Sequence, residues 1–128
     1  MCHQTVSLIA RHLEENGIPT VVIGSGRDIV EHCGVARFLY QDFPLGNPCG
    51  HPWDAEMQTA TVRQALSLLE TVEEPQTTVQ TPFVWRADDP DWRERYNRIS
   101  PEDRERLLAI GDERRKKRGQ AARATAAE

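Results

Sequence analysis

No stretch of this 128-residue chain offers the roughly 18 consecutive apolar residues that a membrane span requires. Its first 20 residues also lack the basic-then-apolar order of a secretory signal. These absences predict a cytoplasmic protein with no membrane partner. Cysteine is scarce: Cys2, Cys33 and Cys49 form an odd set without CxxC spacing, which argues against a disulfide framework and fits a reducing compartment. Each thiol is therefore free for packing, metal binding or chemistry. Positive charge is nearly missing from the front of the chain. Residues 1–85 hold Arg11, Arg27, Arg37 and Arg63 against ten acidic side chains, whereas residues 86–119 hold eleven basic against nine acidic ones. The whole carries a formal net charge of −4, which disfavours nucleic acid as a partner. There is no internal repeat.

The length fits one domain, and the residue pattern predicts an acidic α/β body over 1–85, a charged helical extension over 86–118 and a disordered tail over 119–128. Val6, Ile9, Ala10 and Leu13 fall at helical spacing, so a helix from about Thr5 to Asn16 should turn that stripe to a core, with Asn16-Gly17 as its stop. "IPTVVIGSG" reads as a strand buried on both faces of a parallel sheet. Ser25 is placed to cap a short helix through about His32, and "ARFLYQD" reads as a second strand. "FPLGNPCGHPWD", with three prolines and two glycines, is a loop at that strand's C-terminal end. Asp54 can cap a long helix to about Glu73, and "TTVQTPFVW" reads as an edge strand, because Pro82 excludes a central position. Asp89-Pro90 and Ser100-Pro101 mark two further helix starts. The order helix, strand, helix, strand predicts parallel strands with right-handed crossovers. An α/β unit that opens on a helix lacks a first strand.

Cys2 stands about three residues before the first confident helical turn. A helix N-terminus carries partial positive charge and unpaired N–H groups that favour a thiolate, which makes Cys2 the candidate nucleophile, with His3 beside it. Cys49 and His51 sit in the proline–glycine loop, and strand-to-helix loops of a parallel sheet gather at one edge, so Cys2 and this loop should meet there. A Cys2, His3, Cys49, His51 zinc set is an alternative, although structural zinc sites favour tighter repeated spacings. Cys33 reads as a buried small hydrophobe. "GSGRD" lacks the third glycine of a dinucleotide fingerprint and the Gly-Lys-Ser/Thr ending of a phosphate loop. Gly24 and Gly26 then make a tight turn, and Arg27 could contact a carboxylate.

Four stretches in order, "CHQTVSLIARHLEENGIPTVVIGS", "RDIVEHCGVARFLYQDFPLGNPCG", "AEMQTATVRQALSLLE" and "TTVQTPFVW", resemble the C-terminal part of the glycine/sarcosine/betaine and D-proline reductase selenoprotein B family, in particular its short selenium-free members. The resemblance covers about residues 2–85. It implies a small parallel sheet of flavodoxin or Rossmann type with flanking helices and without its N-terminal portion. It also implies an oxidoreductase that cleaves a C–N or similar bond alpha to a carboxylate. Cys2, His3 and Cys49 would be catalytic, and Ser25, Arg27, Asn47 and His51 would bind a small carboxylate substrate. A dithiol or thioredoxin-like donor would regenerate the thiol. No cofactor or metal is implied on this chain, and any pyruvoyl group would belong to a partner subunit. The family loop commonly holds a second Cys or selenocysteine just before the position of Cys2. Met1 stands there instead, so the resemblance implies a chain beginning inside the redox loop. The competing reading is a non-catalytic interaction module, working as a homo-oligomer or on a partner subunit, or an inactive fragment.

Overall fold

The computed structural model describes residues 2–86, 88–89, 91–96 and 98–125, with side chains to residue 118. The chain divides into two compact units, Met1–Pro90 and Asp91–Glu128. The first contains α1 (Cys2–Glu15), β1 (Val22–Gly24), α2 (Arg27–Cys33), β2 (Arg37–Tyr40), α3 (Ala55–Thr71) and β3 (Thr77–Gln80). The strands form one parallel sheet in the order β1-β2-β3, with Val22 opposite Phe38 and Leu39 opposite Val79. Parallel neighbours need crossovers, and the helices supply them. The α/β architecture thus agrees with the residue pattern, and β3 lies at an edge, ending at Gln80 before Pro82 rather than running on to Trp85. β1 occupies the other edge. Among the described residues no strand pairs with its free side.

Alternation along the strands divides the core in two. Val22 and Phe38 pack with Ala10, Val30 and Val35 on the face covered by α1 and α2, while Leu39 packs with Ala65 and Leu68 of α3 on the other. Phe38 and Leu39 of the central strand are buried on opposite faces, the pattern of a doubly covered strand.

Helix α1 departs from expectation. Only part of its apolar stripe faces the core: Ala10 is 5% exposed and Leu13 half-buried, whereas Val6 is 42% and Ile9 54% exposed, and Ser7, at 0%, takes a buried place. The rotation is set by polar anchors at both ends of the buried face. His3 accepts from the backbone of the β1–α2 turn. Glu14 Oε1 accepts from the backbone N–H and the hydroxyl of Thr20 and, at 2.9 Å, from Arg37 Nη1. His3, Ser7, Ala10 and Glu14 share one side of a helix at 3.6 residues per turn, and the small residues between the anchors let the backbone approach the sheet. The helix ends as Asn16-Gly17 predicts. Gly17 adopts φ +77, and the N–H groups of Gly17 and Ile18 close on the carbonyls of Glu14 and Leu13, a Schellman arrangement.

Ser25 does not cap α2. The N-cap is Gly26, without a side-chain cap, and the buried Ser25 hydroxyl has no hydrogen-bond partner among the described residues. Asp54 does cap α3, its carboxylate accepting from Met57 N at 2.9 Å.

The second unit holds α4 (Trp92–Tyr96) and α5 (Pro101–Thr125). Ser100 caps α5, its hydroxyl accepting from Asp103 N at 3.0 Å, and Leu107, Leu108 and Ile110 are exposed on it. The helix backbone passes residue 118 and reaches Thr125. Pro90, expected at the start of α4, and residues 126–128 of the expected tail lie outside the described residues. No described helix is long and apolar enough to cross a membrane.

Candidate functional site

All three strands run the same way, so the segments following Gly24, Tyr40 and Gln80 leave the sheet at one edge. Helix α1 precedes β1 and returns antiparallel to it, which brings the helix start to that edge too. There Cys2, His3 and Val6 of α1, Ile23 of β1, and Leu45, Gly46 and Pro48 of the proline–glycine loop line a cavity of about 380 Å³. Its walls are mainly aliphatic, and no charged side chain among the described residues lines it. Helix α1 begins at Cys2 rather than near Thr5, so the thiol lies within the first turn, exposed, in a turn without acidic residues.

His3 sits between that thiol and the sheet. Its Nε2 accepts from Gly26 N at 3.1 Å and from Ser25 N at 3.3 Å. The ring lies against the two glycines of "GSG". A Cβ on Gly24 would come within 3.1 Å of His3 Cδ2, and the three nearest atoms to a Cβ on Gly26 all belong to the His3 ring, at 3.3 Å. These glycines leave room for an imidazole, and the N–H groups that a phosphate loop would present are already bonded to it.

The rest of the loop is held from a different direction. Phe43 is buried and meets both His51 and Trp85 edge-on, at centroid distances of 5.4 and 5.2 Å, while His51 and Trp85 stack at 4.3 Å. The His51 carbonyl also accepts from Gln58 Nε2 at 2.6 Å. Asn47 closes a turn through its N–H to the Pro44 carbonyl, 3.0 Å away. Cys49 is half-buried. Neither it nor Asn47 or His51 lines the cavity that holds Cys2, although Pro48 beside Cys49 does. At the loop's end Trp53 is 99% exposed with φ +66.

Arg27 is engaged elsewhere. Its Nε donates to Glu31 Oε1 at 2.9 Å, and its guanidinium lies 5.7 Å from the Tyr40 ring centroid. The Arg27 hydrogen bond, with a further one from Thr78, holds the Glu31 carboxyl below its ordinary range. The zinc alternative is corrected: among the described residues no three His, Cys, Asp or Glu side chains group to hold a metal ion, because His51 turns to Trp85 and His3 to the β1–α2 turn. Cys33 is half-buried rather than buried, its carbonyl accepting from Arg11 Nη1 at 3.2 Å.

A buried polar group lies beneath the loop. Gln41 and Thr61 are fully buried, Thr61 Oγ1 sits 3.3 Å from Gln41 Oε1, and Gln41 Nε2 and Thr81 Oγ1 have no partners among the described residues. Sequence reasoning missed this group, the cavity walls Val6, Ile23 and Leu45, and Trp85. A polar residue directly after an apolar strand, as in Tyr40-Gln41, was the available signal for the first. Nothing local marked the others, since each depends on what lies across from it.

Over 86 residues the chain is 30% identical to the D-proline reductase subunit gamma of Acetoanaerobium sticklandii, covering 67% of this chain and 36% of that protein. The chain thus spans about a third of the length of this curated relative. No family model matches the sequence, and no solved structure matches it.

Proposed function

Because this chain is related to the D-proline reductase family, we propose that it carries a thiol-dependent reductase site in which Cys2 is the nucleophile. One observation carries the reading. Cys2 is an exposed thiol in the first turn of a helix, lining an apolar cavity with the proline–glycine loop at the C-terminal edge of a parallel sheet. That edge is where open α/β sheets bind ligands, and a volume of about 380 Å³ suits a small molecule. A helix start favours the anionic form of a thiol, which is the attacking form.

The substrate class is a small carboxylate bearing an amine or similar leaving group on the alpha carbon. Sγ forms a bond to that carbon as the C–N bond breaks. The electron pair leaves with nitrogen, which takes a proton. A thiol of a dithiol donor then attacks Sγ, forming an S–S bond and releasing the carbon, which takes a proton. The donor's second thiol restores Cys2, so two electrons pass from donor to substrate. The aliphatic walls would hold the substrate's carbon frame. A companion subunit would supply what this stretch of chain does not, including a pyruvoyl group if the reaction needs one.

The test is turnover of the Cys2→Ser variant assayed with dithiol and the companion subunit, together with turnover of the native chain after alkylation of Cys2 by iodoacetamide; both should be lost. Turnover unaffected by the serine or by the alkylation would remove the proposal.

A second reading has its own support. The outward residues Val6, Leu8 and Ile9 of α1 and the fully exposed Trp53 would suit a module that acts by docking. Size-exclusion with light scattering separates the two: a concentration-independent monomer with a sharp melting transition counts against the docking module.

A further inference from the structure

We propose that His3 is a positioning residue. Its imidazole docks the thiol-bearing first turn of α1 onto the Gly24–Gly26 turn and so holds Cys2 at the mouth of the apolar cavity. The proposal rests on Cys2 being the nucleophile, but the docking itself is measurable without turnover.

Three observations converge on it. Both Ser25 N–H and Gly26 N–H point to Nε2. An imidazole nitrogen accepts only through its lone pair, so Nε2 is unprotonated and the ring proton resides on Nδ1. In that state the ring has no free lone pair with which to take the proton of the neighbouring thiol, which removes His3 as a base for Cys2. Next, both flanking glycines are open where the ring lies, and at Gly26 the imidazole supplies all three nearest atoms. Gly26 has φ −96, a value open to any residue, so the space and not the backbone angle is what the missing side chain provides. Finally, Ser25 has a hydroxyl that makes no cap. The N–H groups ahead of α2 find their acceptor in another helix, and that contact ties the start of α1 to the end of β1.

The consequence is mechanical. Helix α1 turns Val6 and Ile9 outward, so its first turns lack a hydrophobic anchor on that side. His3 and Glu14 secure the two ends of the buried face, and of these His3 adjoins the thiol.

The experiment uses the full chain in three measurements. Long-range ¹H–¹⁵N spectra, recorded above the ordinary histidine value of about 6.5, should show His3 as the Nδ1–H tautomer, with slowed exchange at the Ser25 and Gly26 amides. An Nε2–H tautomer would overturn the docking. In a double-mutant cycle, Gly26→Ala should lower the melting temperature in the native background and lose that penalty when combined with His3→Ala. Equal penalties in both backgrounds would overturn it as well. The third measurement compares Cys2 labelling by N-phenylmaleimide and by iodoacetamide, relative to free cysteine. The preference for the apolar reagent should fall toward unity in His3→Ala and return in His3→Gln, whose Oε1 can accept in place of Nε2. Should His3→Ala fail to fold, the spectra and His3→Gln still decide the matter. An unchanged preference in a folded His3→Ala variant removes the positioning role, while the Cys2→Ser turnover result bears separately on the reductase reading.

Discussion

The imidazole of His51 lies face to face with the indole of Trp85, ring centroids 4.3 Å apart and planes 8° from parallel. His51 belongs to the loop after β2, and Trp85 to the segment after β3. The stack joins two exits from the same sheet edge, and Phe43 closes it from the side. Trp85→Ala should destabilise the first unit by about 2 kcal/mol, less than the 3–5 kcal/mol of a fully buried aromatic because Trp85 is half-buried. Trp85→Phe should recover most of it. Chemical denaturation measures the cost, and faster alkylation of Cys49 in the alanine variant would report the loosened loop. An alanine variant with native stability and native Cys49 labelling would show that the stack does not hold the loop.

Thiol exposure differs along the chain. Cys2 is exposed, and Cys33 and Cys49 are half-buried. Limited iodoacetamide treatment followed by peptide mass spectrometry should find Cys2 modified first, then Cys49 in its loop, and Cys33 last at the end of α2. Cys2→Ser should leave the melting temperature unchanged, since the side chain packs into no core. Equal labelling of Cys2 and Cys49 would contradict the placement of the first helical turn.

Glu14 gathers three donors: the N–H and the hydroxyl of Thr20, and Arg37. Charge-assisted hydrogen bonds in partly buried settings contribute more than surface pairs, so Glu14→Ala should cost about 2 kcal/mol and Glu14→Gln about half that. Glu15→Ala, one position along on the exposed side of the helix, should cost close to nothing. Urea melts of the three variants make the comparison. Equal losses at 14 and 15 would mean that the anchor does not set the helix rotation.

Glu31 gives a pH dependence of defined sign. The Arg27 hydrogen bond, with Thr78 adding to it, lowers the carboxyl below its reference value of 4.5. A lowered folded value means that the unfolded chain binds the proton more readily. The contribution is therefore present above about pH 4.5 and lost as pH falls through the lowered value. Because the pair is exposed and spans one helical turn, the effect is small. Glu31→Gln should flatten that acid limb of the melting-temperature profile and leave stability at neutral pH little changed. A profile identical to the native one would exclude the pair as a contributor.

Much of the architecture is written locally. Asn16-Gly17 stops α1, Asp54 starts α3 and Ser100 starts α5, because turns and caps act over a few residues. Parallel pairing followed from alternating helices and strands, and the meeting of Cys2 with the loop at one sheet edge followed from that pairing. What the sequence by itself determined was thus the order of elements and the edge at which the thiol would lie. Tertiary structure decided the rest. The apolar stripe Val6, Ile9, Ala10 and Leu13 argued for one rotation of α1, and the structure adopts another that keeps Ala10 inside but turns Val6 and Ile9 out, because His3 and Glu14 accept from donors 6 to 23 residues away. Helical periodicity sees only side chains on the same helix, and it cannot weigh a hydrogen bond to a turn that lies across the sheet. The same limit let "GSG" read as a tight turn with no sign of the His3 imidazole lying against it, and gave His51 no link to Trp85. Identity along the chain fixes which groups are available, and packing between segments settles which of them meet.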